Sequence, residues 1–184
     1  MSRMPLIDPA TATGKAAEQL SATQRTMGAT KNFARAMANS PSTLKGYLGL
    51  STALREGVLP AGIRERIALA MAELNGCRYC LSAHTQLAPA LAKLTEEEIE
   101  AARRGTSADP KAAAVLRLAV EIAENRGRVG DDVLADARTA GLTDEEVVEV
   151  IANVVQNIFT NYLNEALDVD VDFPLVTPRD HAEV

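Results

Sequence analysis

The sequence predicts an all-α fold, a single compact domain of about eight helices over residues 1–184. Three observations predict it. A length of 184 residues suits one domain of ordinary size. Apolar residues make up 47% of the chain, enough to build a core. Aromatic residues make up only 3% and Trp is absent, so Ala, Leu, Val and Ile must fill that core. Ala is the strongest helix former, which favours helices packed closely together.

The elements follow in order. Residues 1–10 hold Pro5 and Pro9 and read as a flexible or docking arm. A helix is expected from Thr11 to Met27 and a short one from Asn32 to Ala38. In "NSPSTLKGYLGLSTALRE", Ser40 is an N-cap and Pro41 takes the first helical position. Gly46 and Gly49 either weaken this helix or let a neighbour approach closely, and Gly57 ends it. Pro60 opens "PAGIRERIALAMAELNG", whose stretch Ile67 to Ala72 is apolar on every side and so should be central and buried. Asn75 and Gly76 stop that helix.

The next helix starts at or near Cys77 and runs to about Leu91, with Pro89 leaving its end uncertain. Thr95 with Glu98, and Thr143 with Glu146, spell capping boxes. Asp109 and Pro110 open an amphipathic helix with the stripe Val115, Leu118, Ala119 and Ile122. "DDVLADARTAGL" is a short helix stopped by Gly141, and a long helix spans Asp144 to Leu167. Residues 168–184 alternate apolar and acidic residues and read as an extended tail.

Composition narrows the function. The formal net charge is -6, and Lys and Arg are scattered, so the basic stripe of a nucleic-acid surface is missing. No apolar run reaches the length of a membrane span, and the first residues lack the apolar region of a signal peptide. A cytoplasmic setting is expected. There, a pair of cysteines is more often catalytic or metal-binding than structural.

Both cysteines and one of the two histidines lie in "NGCRYCLSAH". Cys77 and Cys80 are three positions apart, and Cys80 and His84 four, so all three share one helical face, which Leu87 and Leu91 continue. The stop at Asn75-Gly76 puts both cysteines in the first turn of the new helix, where the backbone N–H groups favour a thiolate. His84 can take a proton from Cys80 or hydrogen-bond its thiolate. A second thiol nearby can close a disulfide with an oxidised first thiol. The helix-end effect acts on both cysteines, and only the spacing of His84 favours Cys80.

A free cysteine on a core stripe is commonly just a small hydrophobe. A CxxC pair at a helix start, followed by His, points instead to a reactive dithiol. Structural zinc wants four ligands and the cluster supplies three, while His181 falls in the expected tail. A c-type haem needs His directly after the second Cys, where Leu81 stands. Glu65 is the next candidate. It either pairs with Arg64 or Arg66, or stays solvated, or orients the His84 ring across the turn and stabilises its charged form.

"RERIALAMAELNGCRYCLSAH" resembles the core motif of the carboxymuconolactone decarboxylase and alkylhydroperoxidase D (AhpD-like) superfamily. That motif has a Glu twelve positions before the first Cys, then CxxC, then His four after the second Cys. Glu65, Cys77, Cys80 and His84 match it. The flanks "NFARAMANSPSTLKGYLGLSTAL" and "EVVEVIANVVQNIFTNYLNEAL" are also similar, so the likeness spans roughly residues 30 to 170. It implies an all-α protein that assembles as a trimer, dimer or hexamer. It also implies a thiol peroxidase without an organic cofactor, acting on a small-molecule hydroperoxide and recycled by a dithiol reductant or a redoxin partner. Cys80 would attack the peroxide, Cys77 would form the disulfide, His84 would activate Cys80, and Glu65 would support His84. One departure is Tyr79, where alkylhydroperoxidase D has a His before the second Cys; this removes a proton donor.

Two further functions fit the sequence. One is a lyase or isomerase on a small lactone, with Glu65 and His84 as acid and base. The other is a non-catalytic helical protein whose CxxC senses redox state. Assembly has an independent hint. Ile67 to Ala72 and Val147 to Val155 are apolar on nearly all sides, so some faces are expected to be buried against other subunits.

Overall fold

Every residue from Ile67 to Ala72 is buried. A segment apolar all round has to lie inside the bundle, and the other helices gather around it. The computed structural model describes residues 1–179. Among them are nine helices, against about eight expected: α1 (Gly14–Met27), α2 (Asn32–Met37), α3 (Pro41–Glu56), α4 (Ala61–Leu74), α5 (Arg78–Ala92), α6 (Glu96–Arg103), α7 (Pro110–Glu124), α8 (Asp131–Thr139) and α9 (Asp144–Ala166). The central helix α4 packs on α5, α6, α7 and α9. Helices α1 to α3 add a smaller core built on Leu20, Met37, Leu44 and Leu48.

The caps form as the sequence spells them. Ser40 accepts from the Thr43 N–H and Asp109 from the Ala112 N–H, each followed by Pro. Both capping boxes are complete. Gly57 ends α3, and the Glu149 carboxylate reaches over it from α9 to accept the Val58 and Leu59 N–H groups at 2.9 Å each.

Four expectations are corrected. The first helix begins at Gly14 rather than Thr11, because Asp8 turns the chain: its carboxylate accepts from Ala10 N–H and its carbonyl from Thr11 and Ala12. Pro89 lies inside α5 and does not end it; the helix runs to Ala92 and stops where Lys93 turns left-handed. Gly46 and Gly49 face open space, so neither admits a close neighbour. The run Ile67–Ala72 is covered within one chain, whereas Val148, Ile151 and Val155 of α9 stay exposed.

The two ends of the chain hold each other. Arg3 N–H donates to the Leu167 carbonyl, Ser2 to Asp170, and Asn39 to the Pro5 carbonyl, so the N-terminal arm is docked. The C-terminal segment runs without helix from Asp168 and passes over α5, where the Val176 N–H donates to Ser82 Oγ at 2.9 Å. The remainder of the expected tail, with His181, lies outside the described residues. No helix among the described residues is long and apolar enough to cross a membrane.

Candidate active site

The turn between α4 and α5 builds the site. Gly76 adopts a left-handed conformation (φ 66°), which a side chain would disfavour. The Cys77 N–H returns to the Ala72 carbonyl at 2.9 Å, closing α4 while the chain reverses. Cys77 is then the N-cap of α5, its sulfur accepting from the Cys80 N–H at 3.3 Å. The reversal lays α5 along α4 and brings His84 opposite Glu65.

These two side chains meet directly, with His84 Nδ1 2.8 Å from Glu65 Oε2. Glu65 is available because its neighbours are engaged elsewhere. Arg66 pairs with Glu98 at 2.5 Å, and Arg64 donates to the Leu59 carbonyl. The local salt bridge weighed from sequence is therefore not the one formed. Burial pulls the imidazole pKa down. The charge and hydrogen bond of Glu65, with help from Cys80, outweigh it, so His84 lies above its ordinary value and holds its proton more tightly.

The two sulfurs are driven apart. Cys80 is brought down to about 7, first by the hydrogen bond from the Cys77 thiol and, against the cost of burial, by Asn164, His84 and Asn161. Cys77 is pushed up, because its proton is the one donated to Cys80 and because it is buried. The pair thus shares one proton, with the negative charge favoured on Cys80. Asn164 Nδ2 donates to Cys80 Sγ at 3.2 Å. No hydrogen bond joins His84 to Cys80 among the described residues, so the imidazole acts on the sulfur through its charge, not by the direct bond expected from sequence.

A cavity of about 370 Å³ opens onto this group. Glu65, Cys80, His84 and Asn164 line it, together with Phe33, Tyr47, Leu87 and Phe173; Cys77 does not. Cys77 is fully buried behind Cys80. The Tyr79 phenol donates to Asp172 Oδ1 at 2.6 Å and accepts from the Phe33 N–H at 3.2 Å. Its ring meets Phe33 and Phe173 edge-on. Where the resemblance would have a histidine, this chain has a brace that ties α5 to α2 and to the C-terminal segment.

The sequence reading missed Asn164. It had a signal. Val147, Val150, Val154, Asn157, Asn161 and Asn164 form one three-and-four stripe along α9, and all six are buried. Asparagines that continue a core stripe need partners. Asn161 accepts from Asn75 at 2.9 Å, and Asn164 donates to the thiolate. Replacing Asn164 with leucine keeps the shape and removes the donor. It is expected to raise the Cys80 pKa by roughly one to two pH units, since hydrogen bonds to charged groups contribute about 1.5–3 kcal/mol. The pH dependence of iodoacetamide alkylation at Cys80 checks this.

The comparisons agree with this architecture. The model of the carboxymuconolactone decarboxylase family matches residues 41–125, from the start of α3 to the C-cap of α7. No curated protein matches the chain. The alkylhydroperoxidase AhpD core of a peroxidase-related protein from Ralstonia eutropha JMP134 is similar in structure, with a TM-score of 0.80 at 21% identity over 98% of this chain and 93% of that one. A peroxidase-related protein from Silicibacter sp. TM1040 gives 0.74 at 19% identity, over 92% and 91%. A cysteine-to-alanine variant of the debrominase Bmp8, in complex with 2,3,4-tribromopyrrole, gives 0.75 at 18% identity, over 94% of each chain. Residues 41–125, under half of the chain, match the model of the carboxymuconolactone decarboxylase family, and nearly the whole chain shares the fold of these structures.

Proposed function

We propose that the protein is a thiol peroxidase that reduces organic hydroperoxides, with Cys80 as the attacking sulfur. The observation that carries this reading is the unequal placement of the two sulfurs. Cys80 lines the cavity with its pKa near neutrality, while Cys77 keeps its proton behind it. The peroxidase-related neighbours support it.

The Cys80 thiolate attacks the terminal oxygen of ROOH and the O–O bond breaks. Cys80 becomes a sulfenic acid that keeps the proton of the transferred oxygen, and the leaving alkoxide takes the proton of the His84 imidazolium to give ROH. Glu65 holds the ring and favours its charged form. Cys77 then attacks the sulfenic sulfur, forms the disulfide and releases water. An external dithiol returns both cysteines to thiols and is itself oxidised to a disulfide. Stopped-flow mixing of the reduced protein with cumene hydroperoxide, with dihydrolipoamide as recycling dithiol, tests the cycle. Sustained consumption is expected, and its absence would remove the assignment.

A second reading is a lyase acting on a small lactone. The Glu65–His84 pair favours it, since an acid and base at 2.8 Å face the same cavity. In that case serine at both cysteines would leave turnover intact. A redox sensor would consume peroxide once per chain even with excess reductant.

We also infer that the protein assembles as a homo-oligomer through α9. Val148, Ile151, Val155, Phe159 and Tyr162 recur at three- and four-residue spacing and remain 39–64% exposed. Sedimentation at micromolar concentration is expected to give an oligomer that Val155→Glu weakens. A parent chain that sediments as a monomer would contradict this.

A further inference from the structure

We propose that the cavity selects organic hydroperoxides bearing a carboxylate, and that Arg55 is the group that holds it. The proposal rests on the peroxidase reading only for the reactive end of the substrate.

Besides Cys80 and two tyrosines, four chargeable side chains line the cavity: Lys31, Arg55, Glu65 and His84. Three are already engaged. Glu65 and His84 hold each other. Lys31 donates to the Asp172 carbonyl at 3.2 Å, lies 3.9 Å from the Asp172 carboxylate, and sits 4.5 Å above the Phe173 ring. Arg55, in the last turn of α3, has no ion pair among the described residues. Its one hydrogen bond runs from Nη1 to the Thr26 carbonyl at 3.2 Å. A guanidinium has five N–H donors in a planar fork that matches a carboxylate, so most of this fork is uncommitted. Lys31 is balanced by Asp172, and charged His84 by Glu65. Among the described residues Arg55 is the lining cation without a carboxylate partner, and the Cys80 thiolate is the lining anion at the other end.

The position of that charge decides what it can do. Cys80 is 5% exposed and Asn164 3%, which marks the closed end. Arg55 and Leu91 are exposed lining residues, Leu91 at 58%, which marks the mouth. Met27, Phe33, Tyr47 and Leu87 supply apolar wall. The Tyr47 pKa is pushed up to about 12 by burial and by Cys80, while the Arg55 charge acts in the opposite direction. The ring therefore feels both the reactive sulfur and the guanidinium. An apolar corridor with a thiolate inside and a free planar cation at its entrance fits a molecule with a hydroperoxide at one end and an anion at the other.

Cumene hydroperoxide and its para-carboxylate form a matched pair with the same O–O bond and one charge between them. The parent protein is expected to show a kcat/KM about fivefold higher for the carboxylate, through KM, as for a partly exposed ion pair. In Arg55→Gln that ratio falls to near one, and in Arg55→Lys much of it survives. Equal values in the parent, or a preference that persists in Arg55→Gln, would overturn the proposal. If neither peroxide is consumed, the peroxidase reading fails and calorimetry decides the subsite by itself. The parent is then expected to bind 4-isopropylbenzoate more tightly than 4-isopropylbenzamide, and Arg55→Gln is expected to lose the difference. Equal or undetectable binding of both by the parent would sink the subsite.

Discussion

Serine at position 80 is expected to abolish peroxide turnover, lowering kcat/KM by a thousandfold or more, on the order seen when an enzyme loses its nucleophile. The alcohol is far less acidic than the thiol, and the hydrogen bonds from Cys77 and Asn164 would have no thiolate to stabilise. Cys77→Ser is expected to behave differently. A serine hydroxyl is itself a strong N-cap, so α5 should still start there and the protein should fold. Cys80 would retain Asn164 and His84 and react once. Its sulfenic acid would then lack a resolving thiol and accumulate, where dimedone traps it and mass spectrometry counts one adduct per chain. Burst-and-stop kinetics in Cys77→Ser beside complete loss in Cys80→Ser is the pattern expected. Equal behaviour of the two variants would contradict the division of labour.

Glu65→Gln is the second large effect. Glutamine keeps the size and can still hydrogen-bond His84, so what is lost is the charge. Folded-state His84 lies above its ordinary pKa chiefly because Glu65 overcomes burial. Without that charge its pKa falls, and the imidazolium disappears at a lower pH. The active form needs Cys80 as thiolate and His84 protonated, which gives a bell-shaped kcat/KM profile. Its rising limb reports Cys80, near 7 in the parent, and its falling limb reports His84. In Glu65→Gln the falling limb should move to lower pH. The rising limb should move slightly up, because His84 no longer holds its charge beside the sulfur. The bell narrows from both sides, and kcat/KM at pH 7.5 is expected to drop by roughly ten- to a hundredfold, within the range of general acid–base contributions. A profile that only scales down, with both limbs in place, would reduce Glu65 to a packing role.

Much of this site was legible because its parts are local. Cys77, Cys80 and His84 share a face by helical arithmetic, and Ser40, Thr95, Asp109 and Thr143 announced their helices because a cap needs only the next three residues. The Gly14 start of α1 was misread because alanine-rich sequence favours helix throughout, while the Asp8 turn that delays it depends on one side chain. The partner of Glu65 was undecidable from sequence, because it depends on how far the Asn75–Gly76 turn folds α5 back onto α4. Asn164 lies 84 positions from Cys80, and spacing carries no information at that range. What did carry information was its place on the buried stripe of α9, a polar residue where a valine would otherwise pack. Tyr79 depended on tertiary structure in the same way, since its role is set by Asp172 and the Phe33 backbone.

The whole scheme depends on one sulfur being ionised near neutral pH while its neighbour is not. Alkylation of the reduced protein with iodoacetamide from pH 5 to 10, quantified separately at each cysteine by mass spectrometry, measures this directly. Cys80 is predicted to titrate with a midpoint near 7, and Cys77 to stay unreactive until well above the ordinary thiol range of about 8.5. Two cysteines that both titrate at the ordinary value, or Cys77 reacting before Cys80, would contradict it.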